Sequence, residues 1–195
     1  MPPFVALTGG LGAGKSTALA ALERLGAVVI SSDAVVHELY ASSAVRDAVT
    51  ERFGADVAPE GVVDRAAVAA RVFASSDDRA WLEQLLWPLV GQHVADWRER
   101  VGQREPPPRA LVVEVPLLFE AGGDHMYDAT IAVIADETVR EARAQARGHH
   151  AVAEREARQL TQQEKAARST FVVLNDGSLE ELEDKLSSIL AMLDD

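Results

Sequence analysis

The sequence predicts an α/β fold: one sheet of five parallel strands, covered by helices on both faces. Three observations predict it. Short apolar runs alternate with helical patterns along the 195 residues, the order that builds a parallel sheet. Those runs are near-continuously apolar, as strands buried on both faces are. The first of them enters the stretch Gly9-Gly10-Leu11-Gly12-Ala13-Gly14-Lys15-Ser16-Thr17, which fits the phosphate-loop pattern G-x-x-x-x-G-K-[ST]. The expected fold is therefore that of the P-loop NTPases.

Phosphate binding explains each residue of that loop. Glycines let the backbone turn tightly and bring its N–H groups close to phosphate oxygens. This assigns Gly10, Gly12, Ala13, Gly14, Lys15, Ser16 and Thr17 to nucleotide binding. Lys15 bridges β- and γ-phosphates as a mobile cation, and the Ser16 hydroxyl is a Mg2+ ligand. A chance glycine turn is the competing reading. The strand at Phe4-Val5-Ala6-Leu7 and the helix at Ala18 to Leu25, stopped by Gly26, count against it.

Ala27 to Ile30 reads as a second buried strand. Ser31-Ser32-Asp33 follows at its C-terminal end, where open α/β sheets bind ligands. Asp33 is either a functional residue there or the N-cap of the next helix. Helices follow at Val35 to Tyr40 and Ala44 to Phe53. Asp64 caps another to about Phe73, and Ser75-Ser76-Asp77 caps a long one from Asp78 to Val101, with a kink expected at Pro88. Trp81 and Trp97 read as packing residues. A helical insertion thus spans about 34–104, within a single domain whose core comprises about 1–33, 105–137 and 169–195.

Ala110 to Val115 is the third strand. Glu114 sits at its C-terminal end, where a carboxylate organises Mg2+ through water; a buried structural carboxyl is the alternative. Pro116-Leu117-Leu118-Phe119-Glu120 leaves as an apolar loop. Ala129 to Ala135 is the fourth strand. Helices from Glu137 to Arg147 and from Val152 to Arg168 follow, joined at Gly148-His149-His150. Arg140, Arg143 and Arg147 share a face or nearly so, and Arg155, Arg158 and Lys165 add to the charge. This hairpin, about 138–168, is either a solvated surface or a lid that closes arginines over phosphates. Phe171 to Leu174 is the fifth strand, ended by Asn175-Asp176-Gly177, and Ser178 caps a last helix whose Leu182, Leu186, Ile189, Leu190 and Leu193 face the sheet.

The formal net charge of −12 argues against broad nucleic-acid or membrane-surface binding. The absence of cysteine excludes disulfides and thiol catalysis. No apolar run approaches a membrane span, and no signal segment precedes the first strand, so a cytoplasmic location is expected.

Across residues 4–193 the chain resembles the dephospho-coenzyme A kinase family of P-loop kinases. The resemblance rests on the phosphate loop, on Asp33 as the second aspartate of an Asp-x-Asp element, and on Asp64-Arg65. It also rests on Val115-Pro116-Leu117-Leu118-Phe119-Glu120, on Arg143, Arg147, Arg155 and Gln159, and on Asn175 before Gly177-Ser178. Ser31 stands in place of the family's first aspartate, Trp87 in place of a histidine before Pro-Leu, and Ser169-Thr170 in place of an alanine–aspartate pair. The resemblance implies transfer of the γ-phosphoryl group of ATP, with Mg2+, to the ribose 3′-hydroxyl of dephospho-coenzyme A. It implies Asp33, Lys15, Arg143 and Arg147 as catalytic residues, Arg147 and Asn175 at the nucleotide, and Asp33, Leu117, Leu118, Phe119, Glu120 and Arg155 at the acceptor. Another kinase of this fold with a different acceptor, or a nucleotide-binding regulator, is the alternative.

Overall fold

The computed structural model describes residues 1–146 and 159–194. The five strands are β1 (Phe4–Gly9), β2 (Val28–Ser31), β3 (Leu111–Glu114), β4 (Ala129–Ile134) and β5 (Phe171–Leu174). All pair in parallel, in the order β2-β3-β1-β4-β5. Chain contacts divide the molecule into two compact units: residues 1–31 with 98–195, and residues 32–97. No helix among the described residues is long and apolar enough to cross a membrane.

Alternation along β1 decides what packs where in the first unit. Val5 and Leu7 point to one face, where they join Val112, Ile131 and Val133 against α1 (Lys15–Arg24) and the last helix, α8 (Leu179–Leu193). Ala6 points to the other face and meets Leu118 and Phe119. The short helix α7 (Gln162–Arg168) packs against β1 and β4. Every residue of β1 is buried, which is why its sequence shows no polar alternation.

The second unit is helical. It contains α2 (Ser32–Tyr40), α3 (Ser43–Phe53), α4 (Arg65–Ala74) and most of α5 (Ser76–Gly102). Val45, Val49, Val68, Leu82 and Leu86 form its core. Trp81 packs there edge-on to Phe53, with ring centroids 5.4 Å apart, and Asp64 caps α4 by accepting from the amides of Ala66 and Ala67. Trp97 is buried, as a packing residue should be. Helix α5 continues through Pro88 unbroken.

One alternative falls away and one expectation needs correction. Asp33 is not an N-cap: α2 already begins at Ser32, so Asp33 lies inside the first helical turn. Nor is there one helix from Val152 to Arg168. Gln159 and Leu160 are non-helical, and α7 starts after Thr161, whose side chain accepts from Glu164 N while Glu164 reaches back to Thr161 N. That reciprocal pair satisfies two amide donors and fixes a helix start. Lys165 consequently belongs to the core and not to a charged hairpin face. Of the hairpin, Arg147, His149, His150, Arg155 and Arg158 lie outside the described residues.

Helix α8 supplies the clearest test of how the sheet is covered. Leu186 is fully buried against it, whereas Met192 is 55% exposed. Leu186→Ala should cost about 2–5 kcal/mol through lost burial and a residual cavity. A chain of this size would then show a fall in Tm on the order of 5–15 °C. Met192→Ala should leave Tm nearly unchanged; calorimetry on the two variants checks both.

Candidate nucleotide-binding site

β1 delivers the chain into the phosphate loop, and α1 carries it away. Gly14 stands at the N-cap of α1 with φ 94° and ψ 28°, and no side chain caps the helix. The N-terminal amides of α1 therefore keep their affinity for an anion. The first turn also carries no acidic residue that would compete. Ser16 and Thr17 are exposed in that turn, and Lys15 is half-buried.

What orients the loop is the set of groups that hold its carbonyls. Arg140 Nε donates to Leu11 O at 2.9 Å, and Asn175 Nδ2 donates to Ala13 O at 2.8 Å. Lys15 Nζ donates to Gly9 O and Gly10 O, each at 3.0 Å. In a trans peptide the carbonyl and the following N–H point in opposite directions. The bonds from Arg140 and Asn175 therefore turn the Gly12 and Gly14 amides to the loop's other side. Successive amides aimed to one side make an anion-binding concavity.

The glycines are required by the same neighbours. Gly12 has φ 76°, and a Cβ there would run into the backbone of Arg140. At Gly14 a Cβ would overlap Asn175 Nδ2. Any larger residue would thus push away the groups that orient the loop.

Those groups are themselves fixed. Asn175 is buried, its amide donates to Ile134 O, and its carbonyl accepts from Arg143 Nη1 at 2.9 Å. Helix α6 (Glu137–Ala146) brings Arg140 and Arg143. Asp136 starts it by accepting from the hydroxyl and amide of Thr138. Those bonds, the hydroxyl's first, hold the Asp136 carboxyl below its ordinary pKa. Gln162 bonds both ways to Ala135, to N and to O at 2.9 Å each, and its side chain lies beside Gly10.

Glu114 ends β3 in register with Leu7 of β1 and Ser31 of β2, and it is buried. A carboxylate thus stands between the strand that feeds the phosphate loop and the strand that leads to Asp33. Asp33 is exposed, two residues beyond the end of β2 and at the start of the second unit. Among the described residues no group of three or more His, Asp or Glu side chains forms a metal cluster.

The loop after β3 is held from beneath. Lys165, fully buried, donates to Pro116 O at 2.5 Å and pairs with Glu120 Oε1 at 3.0 Å. Burial lowers the Lys165 pKa, and Glu120 opposes that shift. Leu118 and Phe119 are buried in the core, while Leu117 is half-exposed.

Three contributors escaped the reading of the sequence. Arg140 was grouped with the lid arginines, yet it serves the loop. Gln162 carried no motif. Lys165 was placed on an exposed helix, although Thr161 and Glu164 spell the helix start that would have put it elsewhere.

Comparison with known proteins agrees with this architecture. The dephospho-CoA kinase family profile matches residues 3–181. A relative from Protochlamydia amoebophila named dephospho-CoA kinase is 35% identical over 190 residues, covering 95% of this chain and 93% of its own. A crystal structure from Thermus thermophilus is 32% identical with a TM-score of 0.82, covering 98% of each chain. Dephospho-CoA kinase from Campylobacter jejuni, 21% identical, shares the fold at a TM-score of 0.72 over 100% of this chain and 98% of its own. The chain belongs to the dephospho-CoA kinase family.

Proposed function

We propose that the chain transfers the γ-phosphoryl group of ATP to the ribose 3′-hydroxyl of dephospho-coenzyme A, giving coenzyme A and ADP. The observation that carries this reading is the phosphate loop with its carbonyls held by Arg140 and Asn175, in a chain of this family.

The donor end is the better defined. Loop amides and the N-terminus of α1 take the β- and γ-phosphates, and Lys15 exchanges its loop carbonyls for phosphate oxygens. The available donors, the Ser16 hydroxyl and the buried Glu114 carboxylate, are oxygens that suit Mg2+, which usually keeps waters and phosphate ligands beside one or two carboxylates. When bound there, Mg2+ would neutralise phosphate charge.

At the acceptor end Asp33 takes the proton of the attacking hydroxyl. The new bond joins the ribose oxygen to the γ-phosphorus as the bond to the β–γ bridging oxygen breaks. Arg143 and Arg147 neutralise charge on the transferring group, and Asn175 also borders the nucleotide base. Arg155 and the 117–120 loop bind the acceptor. Because Leu118 and Phe119 are buried, Leu117 and the loop's main chain are the parts that meet it, while Glu120 holds the loop. The reaction suits a soluble enzyme of the cytoplasm.

Phosphorus NMR tests the reaction. ATP, Mg2+ and dephospho-coenzyme A should yield ADP and a new 3′-phosphomonoester, and chelation of Mg2+ should stop both. ATP consumption that ignores dephospho-coenzyme A, or a better acceptor in a panel of hydroxyl compounds, would overturn the assignment.

Asp33→Asn separates proton acceptance from helix stability. The carboxylate's interaction with the first turn of α2 is worth only about 0.3–1 kcal/mol, so the variant should fold and bind ATP normally. Turnover should fall on the order of 10²–10⁴-fold. Steady-state kinetics on a folded variant decides, and wild-type turnover would remove Asp33 from the chemistry.

A further inference from the structure

Lysine is almost never fully buried unless paired, and Lys165 is fully buried in a short helix. Its ammonium lies between two points of one loop. It donates to Pro116 O at 2.5 Å, the carbonyl that also accepts from Thr8 Oγ1 at 3.4 Å. It pairs with Glu120 Oε1 at 3.0 Å, and that oxygen also accepts from Leu160 N at 2.8 Å. Arg168, one turn further along α7, lies over the Phe119 ring at 4.6 Å. The same helix holds the other side of the site, since Gln162 brackets Ala135 and lies beside Gly10. One helical segment thus meets both the donor loop and the loop after β3.

A merely stabilising role does not explain a charge there. Removing two charges from water costs about as much as their attraction returns, so an apolar pair of similar volume is often as stable. What an ion pair adds is a fixed distance and direction. Here it pins both ends of Pro116–Glu120.

We propose that Lys165 is a positioning residue for the acceptor: its ammonium locks Pro116 O and the Glu120 carboxylate so that Leu117 and the adjoining main chain are presented in one conformation. This rests on assigning the 117–120 loop to the acceptor under the function proposed above. Lys165 touches no reacting atom; it acts through the loop.

Two variants test it: Lys165→Met paired with Glu120→Gln, which removes both charges together and keeps an oxygen for Leu160 N, and Glu120→Asp, which keeps both charges but draws the carboxylate back by one methylene. The double variant should keep a Tm near that of the wild type, because no buried charge is left unpaired. Its KM for dephospho-coenzyme A should rise on the order of 10-fold or more, the scale expected of a displaced positioning contact. KM for ATP should stay within about twofold, since the phosphate loop is not touched. Glu120→Asp should move the acceptor KM in the same direction by less, and because it leaves no buried charge unpaired it carries the test if the double variant does not fold. Backbone hydrogen exchange over residues 115–124 should quicken in both. That reading needs no turnover, so a wild type that leaves dephospho-coenzyme A unphosphorylated defeats the function proposed above and not the role of Lys165. Unchanged exchange, or an unchanged acceptor KM in a folded variant of an active enzyme, overturns the positioning role.

Discussion

The first unit depends on one constraint: a loop that binds phosphate through its amides must have its carbonyls held elsewhere. Arg140 and Asn175 meet that demand at Leu11 and Ala13. A hydrogen bond from a charged donor contributes about 1.5–3 kcal/mol, and a neutral one about 0.5–1.5 kcal/mol. The larger effect lies in omission. Ala13 is fully buried, so a carbonyl left without a partner there costs roughly 1–3 kcal/mol. The loop can relieve that cost only by turning the peptide, which would also turn the Gly14 amide out of the cradle.

The same logic explains why distant parts of the chain converge. Asn175 follows β5, Arg140 and Arg143 lie on α6, and Gln162 opens α7. The strand order puts β4 beside β1 and β5 beside β4. The C-terminal ends of these strands therefore surround the loop that leaves β1. Arg143 links the two holders by donating to Asn175 O, so α6 and the end of β5 are tied to each other as well as to the loop. Glu114 completes the arrangement from the other side of β1. The acidic surface implied by a net charge of −12 is no obstacle to an anionic ligand, because oriented amides and buried cations act at close range.

Much of this was legible in the sequence because the signals were local. A strand, a G-x-x-x-x-G-K-S stretch and a helix within 25 residues state the phosphate loop directly, and apolar runs gave all five strands to within a residue or two. The order of the strands and the partners of the loop carbonyls were not legible. Arg140 and Arg143 looked alike by spacing, yet one reaches Leu11 O and the other Asn175 O. Helical spacing alone does not distinguish a lysine that faces water from one that is buried. Lys165 needed the helix start at Thr161 and the carboxylate at Glu120, 45 positions away, to show its place. Asp33 could be read as a cap as well as a functional residue because Asp is a good cap; the helix begins a residue earlier.

The most direct measurement is the affinity of Asn175→Ala for Mg-tripolyphosphate by titration calorimetry. The probe carries no base or ribose, so it reads the phosphate loop alone. The expected result is a folded protein that binds on the order of tenfold more weakly, the equivalent of about 1.4 kcal/mol and within the loss expected when the Ala13 carbonyl loses its partner. A folded Asn175→Ala protein with wild-type affinity would contradict the claim that the phosphate cradle is shaped from outside by the groups holding its carbonyls.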